Sequence, residues 1–312
     1  MVYSYENAPR LLKNFLTQKL TIEGRSEKTV QEYYYDLNAF FRYILKQKGW
    51  ENREIDLELV KAIELNDLYD YLMYLSTHRK NNARTRARKL SSIKSFYKYL
   101  HVKMKLIEEN PAAEIDSPKV VRTLPRYLEL SESRRLLSAV SGRNQERDFA
   151  ILTLFLNCGL RLSEVVGINL SDIKGDTLRV MGKGKKERIV FLNDACQAAI
   201  EGYLKVRPKE GLKDPEALFI SSQRQRIYYK TVQYLVKKYI KAAGLDPAKY
   251  STHKLRHTAA TLMYQYGKVD VKALQEILGH EQLNTTQIYT HVNRESLREA
   301  MKANPLADFK PE

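Results

Sequence analysis

Three prolines at seven-residue intervals divide the chain between two stretches of helical patterning. Pro111, Pro118 and Pro125 each lack a backbone hydrogen-bond donor and bias the preceding residue towards an extended conformation. A regular helix therefore does not continue through this segment. Because 312 residues are also more than one hydrophobic core usually organises, we predict two domains. The predicted ranges are 1–107 for the first domain, 108–126 for a linker and 127–312 for the second domain.

The first domain carries the apolar spacing of amphipathic helices. Ser26 is a suitable N-cap, and the apolar residues after it recur at steps of three and four, the period of one helical face. The same spacing recurs at 11–16, 65–75 and 90–100, and no strand-like alternation interrupts it. We therefore predict an all-helical first domain.

The second domain is predicted to be mainly helical, with one β-hairpin. Two short segments rich in Val, Ile and Leu, Thr177–Met181 and 187–192, flank the basic sequence GKGKK, which is typical of a hairpin with a basic tip. Glycines follow several helical patterns, as expected at helix C-termini, at Gly159, Gly244, Gly267 and Gly279. The predicted fold class is mainly α, with a small sheet in the second domain.

The composition is unlike that of membrane or disulfide-stabilised proteins. Apolar runs stay far below the roughly 20 residues that a membrane-spanning helix needs. The N-terminal segment mixes charged with apolar residues, unlike a secretory signal. Only Cys158 and Cys196 occur, too few for a disulfide framework and without the spacing of a zinc site. We therefore predict a cytoplasmic protein with no structural metal and no membrane partner.

The charge balance predicts a polyanionic partner. The chain has 53 Lys and Arg against 37 Asp and Glu, a net charge of +16. Residues 79–98 contain no acidic side chain and end in an apolar helical pattern, so a basic helix could lie along DNA and neutralise phosphates. A solvated charged face is the alternative. The predicted DNA contacts on this helix and on the hairpin are Arg84, Arg86, Arg88, Lys89, Lys94, Lys185, Lys186 and Arg188.

Two arginines and a histidine of the second domain could hold one phosphodiester. His253 and Arg256 are three residues apart, so on a helix they project from the same face. Arg161 follows Gly159, where a helical pattern ends, and could contact a second non-bridging oxygen. Charge-assisted hydrogen bonds of this kind contribute about 1.5–3 kcal/mol each, and more when they meet charge that develops in a transition state.

Tyr289 is a candidate nucleophile for such a phosphate. A free phenol has a pKa of about 10, so its phenolate costs about 4 kcal/mol at neutral pH. A cationic pocket lowers that cost, and His253 could accept the proton. Lys183 on the hairpin tip could protonate the leaving sugar oxygen. A phosphotyrosyl ester conserves the energy of the original diester, so this chemistry needs neither ATP nor any cofactor or metal.

Four motifs occur in the order expected of a known enzyme family. CGLRLSEVVGINLSDI, RVMGKGKKERIVFL, HKLRH and LGHEQLNTTQIYTHV resemble those of tyrosine recombinases of the lambda-integrase class, most of all the Xer-type site-specific recombinases. The resemblance implies a SAM-like core-binding domain and an α+β catalytic domain of the DNA breaking-rejoining fold. It also implies a catalytic set that surrounds the scissile phosphate: Arg161, Lys183, His253, Arg256, His280 and Tyr289.

The same resemblance implies a reaction and an assembly. Tyr289 would form a 3′-phosphotyrosyl link and release a 5′-hydroxyl, Glu164 would hold Arg161, and His257 would lie buried beside the site. Four protomers would act on two sites in double-stranded DNA through a Holliday junction. A short helical pattern at 295–303 would dock on a neighbouring subunit, or alternatively pack on its own chain. A second recombinase or an accessory protein could take part.

Other functions remain open at this stage. A type IB topoisomerase shares the phosphotyrosyl chemistry, and a catalytically silent DNA-binding regulator could keep the fold. A metallohydrolase is weakly suggested by His253 and His257, but Lys254 stands where a catalytic glutamate would be expected. Chromosome-dimer resolution and mobile-element integration or excision use the same chemistry, so both roles are compatible with the sequence.

Overall fold

The computed structural model describes residues 5, 7–120, 126–182, 187–267 and 269–279. It divides into two compact units, residues 1–122 and residues 123–312. No helix in the described ranges is long and apolar enough to cross a bilayer.

The described part of the first unit contains five α-helices, and three of them begin at a residue whose side chain accepts a backbone hydrogen bond: Ser26, Asp56 and Asn82. Ser26 Oγ accepts a hydrogen bond from the Thr29 backbone N–H, and Asn82 Oδ1 accepts one from that of Thr85. A π-helical turn follows the first helix and another follows the fifth. The helices are α1 (Arg10–Thr17), α2 (Glu27–Gln47), α3 (Leu57–Lys61), α4 (Leu65–Thr77) and α5 (Ala83–Lys98).

The core of the first unit is rich in aromatic side chains. The Phe96 ring lies edge-on to Phe15 and Phe41, with ring centroids 5.4 and 5.7 Å apart. Ala112 and Ile115, which fall in the predicted linker, are also buried in this core. Prolines stop a helix but do not stop the side chains between them from packing, so the first core extends beyond residue 107.

The second unit contains seven α-helices and a three-stranded antiparallel sheet in its described part. The helices are α6 (Leu130–Ser138), α7 (Gln145–Cys158), α8 (Leu162–Gly167), α9 (Asp194–Val206), α10 (Tyr229–Ala242), α11 (Thr252–Gly267) and α12 (Val271–Leu278). The strands are β1 (Ile173–Lys174), β2 (Thr177–Met181) and β3 (Glu187–Phe191), paired in the order β1-β2-β3. The predicted fold class is confirmed, although β1 and α3 were not predicted.

Helix α7 lies at the centre of the second core, packed against α9 and α11. It ends at Gly159, whose φ of +60° is left-handed. A Cβ atom at Gly159 would lie 2.7 Å from Leu278 Cδ2, so only glycine allows this approach. The C-terminal ends of α7 and α12 are thereby brought together, and the buried backbone carbonyls of Gly159 and Leu278 both accept hydrogen bonds from Arg256.

Candidate active site

A buried carboxylate on α8 organises the site. The Glu164 side chain is fully buried and accepts hydrogen bonds on both oxygens. Arg161 donates to it from its backbone N–H at 2.7 Å and from Nη1 at 2.8 Å. Arg188 on β3 donates from Nη1 at 2.5 Å and from Nη2 at 3.0 Å. A carboxylate without such partners would be costly to bury, so these contacts are what stabilise its charge.

Arg161 is fixed from two sides. It is the N-cap residue of α8, and its backbone N–H donates to the side chain of Glu164 in the first turn, which sets the start of that helix. Its Nη2 donates to the Gly279 carbonyl at 2.8 Å, just beyond the end of α12. The side chain remains 32% exposed, so a ligand can reach it from solvent.

Arg256 lies on α11, three residues after His253, and the predicted helix at this place is confirmed. Its Nη1 donates to the Gly159 carbonyl at 2.6 Å and its Nη2 to the Leu278 carbonyl at 2.5 Å. Nη1 also lies 3.8 Å from Glu164 Oε2. The guanidinium therefore lies at the C-terminal ends of α7 and α12. The negative ends of the two helix dipoles stabilise its positive charge.

The pKa of Glu164 reflects two opposing effects. Burial raises the pKa, while the hydrogen bonds and charges of Arg188 and Arg161 lower it, and the lowering prevails. Glu164 is therefore ionised at neutral pH. Among the described residues of the site, this one negative charge lies beside three guanidinium groups, so that part of the site is positive overall.

The pKa of His253 lies below its usual value of 6.5. Burial of the ring is the main cause, and the positive charges of Arg256, Lys254 and Arg161 act in the same direction. The ring lies edge-on to His257, with centroids 4.5 Å apart and planes at 84°. His253 is therefore neutral at pH 7, the form that can accept a proton.

Two family models match this chain. "Phage integrase family" matches residues 126–296, and "Phage integrase, N-terminal SAM-like domain" matches residues 12–103. The chain belongs to the phage integrase family. Tyrosine recombinase XerC of Caldanaerobacter subterraneus subsp. tengcongensis is 52% identical over 309 residues, which cover 96% of this chain and 88% of the relative. The resemblance predicted from the motifs is confirmed: this is a Xer-type tyrosine recombinase.

Solved structures of integrases share its fold. XerH bound to difH substrate, in a pre-cleavage complex, gives a TM-score of 0.70 at 22% identity and covers 94% of this chain and 83% of XerH. A lambda integrase tetramer bound to a Holliday junction gives 0.67 at 19% identity, with 91% and 78% covered. The relatives favour a site-specific recombinase over a type IB topoisomerase or a silent regulator, and these structures show that the fold is shared.

The structure brings half of the predicted catalytic set together. Arg161 and Arg256 meet around Glu164, and His253 stands on the same helix as Arg256. His257 is buried beside His253, as expected. Some of the predicted residues lie outside the described residues: Lys183, Lys185, Lys186, His280, Tyr289 and the tail pattern at 295–303.

Several side chains of the predicted DNA-binding helix are engaged within the first unit. The buried carboxylate of Asp36 on α2 accepts from Arg88 Nη1 at 2.5 Å, from Lys89 Nζ at 3.0 Å and from the Ser92 hydroxyl at 2.9 Å. Arg86 Nη1 donates to the Asn81 carbonyl at 2.5 Å. Arg88 is nevertheless 47% exposed, while Lys89 is only 16% exposed. Lys89 is thus placed to anchor α5, whereas Arg88 keeps an exposed surface.

Two further predicted DNA contacts on α5 differ in the same way. Arg84 is exposed, and Lys94 Nζ lies 3.5 Å from the Ala113 carbonyl. Sequence reasoning missed Asp36 because it is more than 50 residues away from its partners, and only the fold brings it to α5. The acid-free segment is therefore neutralised in part from another helix.

Arg188 was predicted to contact DNA from the hairpin. The structure instead directs its guanidinium to Glu164 and to the Ile277 carbonyl, and the side chain is 14% exposed. Within the described ranges, no group of three or more His, Cys, Asp and Glu side chains is arranged to hold a metal ion.

Proposed function

We propose that this recombinase cleaves and rejoins DNA at specific sites by attack of Tyr289 on a phosphodiester bound by Arg161 and Arg256. The observation that carries the proposal is that both guanidiniums contact one buried carboxylate, Glu164. A phosphodiester gains a second negative charge as it becomes pentacovalent, and a preorganised pair of cations stabilises that charge without reorganisation. Arg161 meets the phosphate from solvent, and the more enclosed Arg256 completes the clamp.

Proton transfer is assigned to two side chains, His253 and Lys183. His253, neutral because burial and neighbouring cations lower its pKa, accepts the Tyr289 phenol proton. Lys183 protonates the sugar oxygen as it leaves, and His280 contributes a further donor at the phosphate. The product is a 3′-phosphotyrosyl ester and a free 5′-hydroxyl. Religation is the reverse of this exchange, so the reaction needs no ATP and no metal.

The substrate is double-stranded DNA with paired recombination sites. A tetramer on two sites, passing through a Holliday junction, is proposed by analogy with the lambda integrase tetramer. The exposed Arg84 and Arg88 of α5 supply phosphate contacts. We expect the protein in the cytoplasm, acting in chromosome-dimer resolution or in integration and excision of a mobile element, with a second recombinase or an accessory protein as further partners.

A nicked DNA substrate tests the chemistry. A nick close to the cleavage point lets the released fragment diffuse away, so that the covalent intermediate accumulates. Wild-type protein should form an adduct at the 3′ side in the presence of EDTA and without ATP, and Tyr289→Phe should form none while still binding DNA. An adduct with Tyr289→Phe, or a requirement for metal, would contradict the assignment.

The assembly is tested separately with two sites. Truncation after Arg294 removes the tail pattern at 295–303 and should reduce recombination between two sites more than binding of one site. Equal loss of both activities would argue against subunit docking by the tail. Relaxation of a supercoiled plasmid without recombination would instead favour the topoisomerase reading.

A further inference from the structure

Arg188 links the hairpin to the end of α12. It is the second residue of β3, which begins directly after residues 183–186. Its Nε–H donates to the Ile277 carbonyl at 3.2 Å, at the end of the helix that leads towards His280. One side chain therefore ties together the two elements that continue into the predicted general acid Lys183 and into His280.

The guanidinium of Arg188 is fully oriented by the protein. Nη1 and Nη2 bind the two oxygens of Glu164, a bidentate arrangement that only arginine can form. Nε is engaged by Ile277 at the same time. With 14% of the side chain exposed, this geometry is that of an internal contact and differs from that of a phosphate-binding arginine at a surface.

The ion pair between Arg188 and Glu164 determines how much net positive charge Arg161 and Arg256 present to the phosphate. Glu164 has three guanidinium partners, at 2.8 Å for Arg161, 2.5 Å for Arg188 and 3.8 Å for Arg256. The bidentate partner offsets most of the carboxylate charge, because its two hydrogen bonds are short and buried. Arg161 and Arg256 then keep their charges for the substrate. Without Arg188, Glu164 would offset one of the two phosphate-binding cations.

The backbone at the end of α12 is shaped to admit Arg188. Gly279 has a φ of +62°, and a Cβ atom there would lie 3.0 Å from Arg188 Cδ and 3.2 Å from its Nε. The carbonyl of the same glycine accepts the hydrogen bond from Arg161 Nη2. Arg188 thus packs against the peptide that orients Arg161.

We propose that Arg188 is a positioning residue of the active site. Its side chain neutralises Glu164 and fixes the end of α12, and it does not contact DNA. The proposal rests on the proposed function, in which Arg161 and Arg256 bind the scissile phosphate. It replaces the sequence-based expectation that Arg188 contacts a phosphate, and the two roles predict different salt dependences.

The first experiment compares Arg188→Met with the matched control Arg179→Met. Arg179 lies on β2 of the same sheet and pairs with Asp172, and its side chain is 54% exposed. Adduct formation on the nicked substrate is measured in single turnover, and binding to one site is titrated over a range of salt. We expect Arg188→Met to lower the cleavage rate roughly 100-fold and to leave the salt slope of binding unchanged. Arg179→Met should cleave at the wild-type rate.

A phosphate contact would give the opposite pattern. Its loss would weaken binding and reduce the slope of log K against log salt by about 0.9. That result, or a cleavage rate in Arg188→Met equal to the wild-type rate, overturns the proposal. If wild-type protein itself forms no adduct, the proposed function fails, which is a distinguishable outcome.

A double variant separates positioning from a loss of fold. If Arg188 acts through Glu164, then Arg188→Met should slow cleavage less in a Glu164→Gln background than in wild-type protein, because the uncompensated carboxylate is already gone. Multiplied losses would overturn the proposal. Should Arg188→Met fail to fold, Arg188→Lys decides by the same readouts. It keeps the charge but cannot hold both Glu164 oxygens and Ile277, so cleavage should fall with the salt slope unchanged.

Discussion

Gly159→Ala should damage the second unit and the site together. The left-handed backbone conformation at φ of +60° costs an alanine about 1–2 kcal/mol of folding free energy. Its Cβ would also lie 2.7 Å from Leu278 Cδ2, where relief of crowding in a packed core costs about 1–3 kcal/mol. Unfolding should therefore become easier by about 2–5 kcal/mol in total. The movement also displaces two carbonyls, of Gly159 and Leu278, that hold Arg256.

Gly244→Ala is the matched control. Gly244 has a φ of +74°, but nothing lies within 4 Å of a Cβ atom there. It should therefore show only the backbone cost, about 1–2 kcal/mol, and an unchanged cleavage rate. Gly159→Ala should in addition lower the rate of adduct formation about 100-fold, because small displacements of a positioned group are costly for catalysis.

Urea unfolding followed by two signals provides the assay. Trp50 is the only tryptophan and packs against the core of the first unit, so its fluorescence reports that unit alone. Far-UV circular dichroism reports both units. Gly159→Ala should shift the dichroism transition of the second unit and leave the Trp50 midpoint in place. Equal losses of stability in Gly159→Ala and Gly244→Ala, or normal cleavage by Gly159→Ala, would refute the reasoning.

Three further predictions concern the first unit, the pH dependence and the thiols. Asp36→Asn leaves Lys89 and Arg88 without a buried carboxylate, so it should destabilise the first unit by about 3–5 kcal/mol in unfolding monitored by Trp50 fluorescence. The control Glu32→Gln removes only an exposed partner of Arg88 and should destabilise the unit by less than about 1 kcal/mol. The cleavage rate should stay constant at pH values above the lowered pKa of His253. At lower pH the rate should fall, because the protonated imidazole can no longer act as a base. Single-turnover rates measured from about pH 5 to 8 test this, and a rate that rises on acidification would contradict it. Cys158 and Cys196 are 3% and 0% exposed, so native protein should resist alkylation that proceeds readily in urea, and rapid labelling of native protein would count against this packing.

Local signals in the sequence predict much of the fold and part of the site. Steps of three and four predict the helices, and the spacing of His253 and Arg256 places both on α11. Gly159 predicts the end of α7, and through it the position of Arg161. These features depend on residues within one or two helical turns of each other, so a short segment of sequence is enough to predict them.

Contacts between distant elements are not contained in such signals. Asp36 and α5 are joined by the packing of α2 against α5, and residues 79–98 by themselves show only an absence of acid. The carbonyls that hold Arg256 come from two helix ends that are far apart in the chain. Each of these contacts depends on tertiary packing, which composition and periodicity do not specify.

The strand that carries Arg188 shows where periodicity leaves two solutions. Alternation along β3 puts Arg188 and Val190 on one face and Ile189 and Phe191 on the other. Both faces contain apolar side chains, so either could have turned inward, and a charged residue favours the solvent side. The structure buries Val190 and leaves Phe191 75% exposed. The orientation of β3 with Arg188 and Val190 facing inward is stabilised because the buried carboxylate of Glu164 pairs with Arg188. The register of this strand and the charge of the site therefore depend on the same ion pair.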